Sequence, residues 1–132
     1  MIFRLATEED KDRIDSCIRS EWPDAEIGLV PNARTLIFEH GFISFGITHD
    51  IFPTIQHFYV DPEKRQTGEA RKMLFAFLDM MSAFSFAKVI LILPKTMDTL
   101  ANKIMQEFDI LPYDMSDKNW YLLIPTEEQK NA

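Results

Sequence analysis

Phe58–Leu78, FYVDPEKRQTGEARKMLFAFL, changes character near its middle. It opens on an apolar, aromatic run that suits a buried strand. From Gly68 onward, Ala70, Met73, Leu74, Phe77, Leu78, Met81 and Phe84 recur at three- and four-residue spacing, which predicts a helix with a wide buried stripe. Between the two lies a short polar, basic hinge containing Gly68, one of four glycines in the chain. The next apolar run, AKVILIL at 87–93, is continuous and ends at Pro94, as expected of a strand covered on both faces. Strand, hinge, helix and strand make one crossover unit with its two strands parallel.

Working outward from that unit, TIQHFYV at 54–60 is the strand that enters it. RTLIFEH at 34–40 and FISFGIT at 42–48 flank Gly41 and read as a hairpin, and THDIFP at 48–53 reads as a turn. MIFRLA predicts a short first strand. After it, Thr7 is placed to cap a helix with acidic residues in its first turn, along which Ile14, Cys17, Ile18 and Trp22 share a face that ends before Pro23. PDAEIGLVPNA at 23–33 is a loop or a short second helix. Thr96 suits the cap of a last helix, whose apolar face is Met97, Leu100, Ala101, Ile104, Met105 and Phe108. DILPYD and NWYLLIP then read as two final strands, and the tail from about 126 as frayed. The predicted order is β-α-(α)-β-β-β-α-β-α-β-β, an α/β class fold with a mixed sheet, over a single domain spanning 1–132.

The bulk properties narrow the function. With 132 residues, the chain is long enough to bury a core without disulfides or structural metal. No apolar run reaches the length of a membrane span and the first residues are not those of a signal peptide, so a cytoplasmic location is expected. A net charge of −7 opposes general binding to nucleic acid and favours a cationic partner. The single Cys17 reads as a small core residue. His40, His49 and His57 lack metal-ligand spacing, so no metal is expected. Neither the nucleotide P-loop pattern nor the dinucleotide fingerprint is present.

The hinge itself suits an anion. Free N–H groups and the positive end of the helix dipole point at an incoming charge, Gly68 lets it approach the backbone, and Lys64, Arg65, Arg71 and Lys72 flank the loop. The alternative is that Gly68 serves only a tight turn and the bases are a solvated face.

RQTGEA, with Arg65, Gly68 and Ala70, resembles the phosphate loop of the GNAT superfamily of acyl-CoA-dependent N-acyltransferases, which reads Arg or Gln, two residues, Gly, any residue, then Gly or Ala. VDP before it resembles the family's strand-ending Val-x-Pro, and the element order is similar over nearly the whole chain. The resemblance implies acetyl-CoA as co-substrate, with Arg65, Gln66, Thr67, Gly68, Glu69, Ala70 and Arg71 around its pyrophosphate. It also implies a splay between strands four and five, where the backbone at Phe58 and Val60 holds the pantetheine arm. An acyl thioester is already activated, so such a protein mainly positions an amine and stabilises charge on the carbonyl oxygen.

The family's acid and base positions are substituted here. Counting back from Val60, the inward positions on strand four are Thr54 and Gln56, with His57 on the opposite face; the helical Tyr of the family falls at Lys103, and its glycine at Glu107. Substitute catalytic candidates are His57, Glu39 beside His40, and Tyr113. Asp24, Glu26 and Glu39 are acidic residues suited to attracting a cationic acceptor. Two functions follow: an N-acetyltransferase acting on a small-molecule or peptide amine by direct attack in a ternary complex, as monomer or homodimer, or a catalytically degenerate GNAT-fold module that binds acyl-CoA or a protein.

Overall fold

The computed structural model describes residues 1–22, 34–47 and 52–126. Strand β1 (Phe3–Leu5) leads into a 3-10 turn at Glu8–Asp10 and helix α1 (Lys11–Glu21). Thr7 caps that turn rather than the helix. Its N–H donates to Asp10 Oδ2 at 2.8 Å, while Arg4 donates to the two oxygens of the same carboxylate at 2.8 and 2.9 Å. The remaining strands are β2 (Arg34–Phe38), β3 (Gly41–Ile47), β4 (Pro53–Val60), β5 (Lys88–Pro94), β6 (Asp114–Met115) and β7 (Asn119–Pro125). Helix α2 (Glu69–Ala83) follows β4 and α3 (Asp98–Phe108) follows β5. The seven strands form one sheet in the order β1-β2-β3-β4-β5-β7-β6. β4 and β5 are its one parallel pair among the described strands, joined through α2 as the crossover pattern predicts.

Strand alternation sorts the core into two layers. Leu36, Phe38, Ile43, Ile55, Phe58, Leu91 and Leu93 turn to one face, where Met73, Leu74, Phe77 and Leu78 of α2 and Ala101 and Ile104 of α3 cover them. Ile37, Phe42 and Tyr59 turn to the other face and meet Ile14 and Ile18 of α1, with Cys17 and Trp22 at the margin. Phe42, Phe58 and Phe77 are among the largest side chains removed from water; burying each contributes about 1.5–3 kcal/mol.

Gly41 is fixed by space. A Cβ there would lie 2.0 Å from Tyr59 O and 2.9 Å from Met73 Cε, because the start of β3 is pressed between the end of β4 and helix α2.

Two predicted features differ. α3 is preceded by a 3-10 turn at Lys95–Met97, so Thr96 lies inside that turn and the residue before the helix is Met97, with no side-chain cap. The predicted strand at 109–114 contracts to Asp114–Met115. Pro112 has no N–H to give a ladder, and Asp109 has already taken the left-handed conformation that ends α3 (φ 52°). The loop or second helix at 23–33, with Asp24 and Glu26, His49, most of the turn at 48–53 and the tail beyond 126 lie outside the described residues. Among the described residues no helix is long and apolar enough to cross a membrane.

Candidate functional site

The site begins with one surplus residue. On β3, Ser44 faces His57 and the next residue, Phe45, faces Ile55, so Gln56 is a bulge in β4. β4 and β5 are in register only at Thr54↔Ile90 and Ile55↔Leu91, and that pairing stops where the bulge bends β4 away. Beyond it, residues 57–60 form an edge facing an opening between the two strands. Asp61 N–H donates to His40 O at 2.7 Å, one step past the Val60↔Gly41 pair. Bonded pairs alternate along an antiparallel ladder, so Tyr59 and His57 are the residues that bond to β3, while Phe58 and Val60 direct their N–H and C=O groups into the opening. The Val60 carbonyl accepts Arg65 Nε at 2.9 Å.

β4 delivers the chain to the basic loop at the mouth of this opening. Pro62–Lys64 forms a 3-10 turn, Thr67 Oγ1 donates to Lys64 O, and Gln66 and Gly68 both take positive φ, 64° and 90°. Gly68 precedes α2 without a side-chain cap, and backbone bonding resumes only with Lys72 N–H to Gly68 O at 3.1 Å. The first N–H groups of α2 are therefore open at the positive end of its dipole. No atom lies within 4 Å of a Cβ placed on Gly68, so the space above the loop is clear, and glycine is required there by conformation.

The basic side chains divide. Arg65 turns back from the loop: besides the Val60 carbonyl it pairs with Glu21 of α1 and lies over the Tyr59 ring at 5.4 Å. Arg71 pairs with Glu107 at the end of α3 and covers the Phe75 ring at 4.5 Å. Glu107, where the resemblance implies glycine, thus has a partner of its own. Lys72 is exposed and Lys64 half-buried beside the loop.

The bulge corrects the face expected for Thr54. Ile55 joins the α2 layer and its neighbour Thr54 turns to the opposite side, as do His57 and Tyr59; an unbroken alternation would have separated Thr54 from His57. The His57 ring meets Trp22 edge-on at 4.9 Å between centroids, and burial holds its imidazole below the usual histidine range, hence neutral at pH 7. Thr54 is 5 % exposed, and its Oγ1 is the one buried side-chain polar atom without a hydrogen-bond partner among the described residues. Sequence patterning missed this grouping because a bulge has no reliable signature in composition.

Glu39 and Tyr113 lie elsewhere. Glu39, with its side chain 84 % exposed, sits in the turn between β2 and β3 and lines a groove of about 990 Å³ whose other walls are β1 and the N-terminal part of α2, Glu69, Arg71 and Lys72 among them. Tyr113 borders β6, and its ring meets Tyr121 at 6.2 Å. β5 and β7 stand between it and β4. Lys103 is exposed on α3.

No protein-family model and no curated protein sequence matches the chain. Solved structures do. A spermidine N-acetyltransferase chimera from Vibrio cholerae and hSSAT superposes with a TM-score of 0.72 at 13 % identity, covering 96 % of this chain and 97 % of that one. A GNAT-family acetyltransferase from Staphylococcus aureus gives 0.69 at 11 %, covering 96 % and 99 %. The PaiA N-acetyltransferase from Thermoplasma acidophilum, in complex with coenzyme A, gives 0.65 at 11 %, covering 95 % and 99 %. Over nearly its whole length, then, this chain has the GNAT fold of the acyl-CoA-dependent N-acyltransferases.

Proposed function

We propose that the protein is an acyl-CoA-dependent N-acyltransferase that moves acetyl from acetyl-CoA to a primary amine by direct attack in a ternary complex. The observation that carries this reading is the continuity of two open backbone surfaces: the edge of β4 without a β5 partner, open at Phe58 and at the Val60 N–H while Arg65 holds the Val60 carbonyl, and the uncapped N–H groups from Gln66 to Ala70. Together they fit a long ligand with amides along one part and a pyrophosphate at its end. The N–H groups of the loop and the α2 dipole would hold the pyrophosphate, with Lys64 and Lys72 screening its charge. The Phe58 and Val60 backbone would hold the amide-bearing arm. Acetyl-CoA supplies an acyl group already activated as a thioester. The chain's own tasks are to orient the amine, to place the Phe58 N–H against charge developing on the carbonyl oxygen, and to take a proton on the neutral His57 imidazole. Arg65 supports the loop through Glu21 and the Val60 carbonyl.

Calorimetric titration with acetyl-CoA tests the reading. We expect 1:1 binding, lost in Gly68→Leu; no binding at high micromolar ligand would overturn it. A second reading, a CoA-binding module without turnover, is favoured by Lys103 where the resemblance places the family's helical acid, and by Thr54 and Gln56, neither of them a base, where counting along the sequence places its strand-four base. Binding without thiol release across an amine panel would decide for it. The net charge and the absence of a spanning helix among the described residues support a cytoplasmic protein that does not bind nucleic acid.

A further inference from the structure

Arg65 ties the basic loop, the end of β4 and the end of α1 together at the mouth of the opening. The turn at Pro62–Lys64, closed by Lys64 N–H to Asp61 O at 2.8 Å and Arg65 N–H to Pro62 O at 3.3 Å, folds the chain back on β4. Arg65 Nε thereby reaches the Val60 carbonyl at 2.9 Å, a group that strand alternation directs into the opening. The guanidinium also pairs with Glu21, the last residue of α1, and lies over the Tyr59 ring at 5.4 Å. The contact satisfies a carbonyl that β5 leaves without a ladder partner and shields the edge of β4. It also stands where an amide N–H of the ligand's arm would donate. The pair that holds it is partly open to water, with 37 % of the Arg65 side chain and 22 % of the Glu21 side chain exposed. Glu21 lies, moreover, at the negative end of the α1 dipole, where a carboxylate is disfavoured. Such a pair can hold a side chain in place and still release it to a stronger anion.

We propose that Glu21 is a positioning residue for co-substrate binding: in the free protein it holds the Arg65 guanidinium on the Val60 carbonyl, and the arriving acyl-CoA displaces it. The proposal rests on the acyl-CoA reading and deepens it. An amide N–H of the arm takes over the Val60 carbonyl, so that group stays satisfied in both states. The freed guanidinium belongs to the residue just before Gln66, where the open N–H groups of the loop begin, and it turns to the pyrophosphate. There it meets two anionic oxygens in a fork, against the single Glu21 oxygen it leaves. Because the ligand must first break the Glu21 pair, its apparent affinity is lowered by the stability of the closed arrangement. α1 itself stays in place when the pair opens: Ile14 and Ile18 are buried against the sheet, and Arg13 holds Asp61 at 3.2 Å.

Calorimetric titration of four full-length proteins with acetyl-CoA tests this: the wild type, Glu21→Gln, Arg65→Gln and the double variant. Glu21→Gln keeps the size of the side chain and removes the charge that holds Arg65. It should bind acetyl-CoA about threefold tighter than the wild type, a gain in the range of a part-exposed ion pair. Removing an acid near a phosphate site also favours anions by charge alone, and that effect needs no Arg65. In the Arg65→Gln background the same substitution should therefore change affinity by less than about 1.5-fold, since the coupling runs through the guanidinium. Weaker binding by Glu21→Gln would make the pair a support for the ligand rather than an obstacle to it. Equal gains in the two backgrounds would reduce Glu21 to a repelling charge, and an unchanged affinity would leave it no part in binding. Each of these three results overturns the proposal while the acyl-CoA reading stands. Absence of acetyl-CoA binding by all four proteins would overturn that reading and the proposal with it.

Discussion

At the residue scale, Gly68 and His57 make separable contributions. Gly68 holds φ +90° with clear space above it, so Gly68→Leu strains the backbone by about 1–2 kcal/mol and puts a side chain where a phosphate would approach. Acetyl-CoA affinity should fall more than tenfold by calorimetry while far-UV circular dichroism stays native. Gly68→Ala shares the strain and fills less of the space, so it should lose less affinity for a similar loss of stability; equal affinity losses in the two variants would make strain alone responsible. His57 is held below its ordinary pKa by burial. The unfolded chain then takes up a proton near pH 6.5 that the folded chain refuses until a lower pH, so stability is full above about 6.5 and declines as pH falls from there toward the folded-state value. Urea midpoints between pH 7.5 and 5 should drop more steeply for the wild type than for His57→Gln. Parallel curves would show that burial of His57 has no such linkage.

The opening belongs to β4 as an element. Gln56 is surplus to the ladder with β3, and its deletion would leave Ile55 and His57 on the faces they already occupy. An unbulged β4 would run straight and could pair with β5 beyond Leu91. Deleting Gln56 should therefore give a folded protein with an unchanged or higher thermal midpoint and no measurable CoA binding. Retained affinity would separate the bulge from the opening. Gly41 has the opposite character: Gly41→Ala drives a methyl into Tyr59 O and should cost roughly 1–3 kcal/mol or more by urea denaturation, since neither β4 nor α2 can yield without unpacking the core. These two positions also mark how far the sequence could be read. Periodicity identified all three described helices and the crossover, because a buried stripe such as Met73, Leu74, Phe77 and Leu78 is a local pattern. The RQTGEA loop was legible for the same reason, its conformation depending on a glycine that can be seen. The grouping of Thr54 with His57 was not, because a bulge is decided by the partner strand and reverses the face of the residues before it. Nor could spacing foretell that Arg65 and Arg71 would be engaged with Glu21 and Glu107, partners 44 and 36 positions away.

For the molecule as a whole, the sheet consists of two antiparallel blocks, β1–β4 and β5–β7–β6, in register with each other at two residue pairs. The hydrophobic layer under α2 and α3 joins the blocks on one side, but the backbone ladder between them is short. A ligand bonded to the free edge of β4 and the α2 N-terminus fills the gap between the blocks and binds only the folded chain. Linkage then gives about 2.7 kcal/mol of added stability at a ligand concentration one hundred times Kd. For a domain of this size that raises the thermal midpoint by on the order of 10 °C. Acetyl-CoA at that concentration should produce such a shift, with new protection from amide exchange concentrated at Phe58, Val60 and residues 66–70, where N–H groups now lack partners. The interior of β3 and β7, already bonded on both sides, should gain protection only through the global rise in stability. A midpoint shift whose new protection fell instead along β1, β2 and the groove beside α2 would place the ligand in that groove, and the opening between β4 and β5 would lose its assigned role.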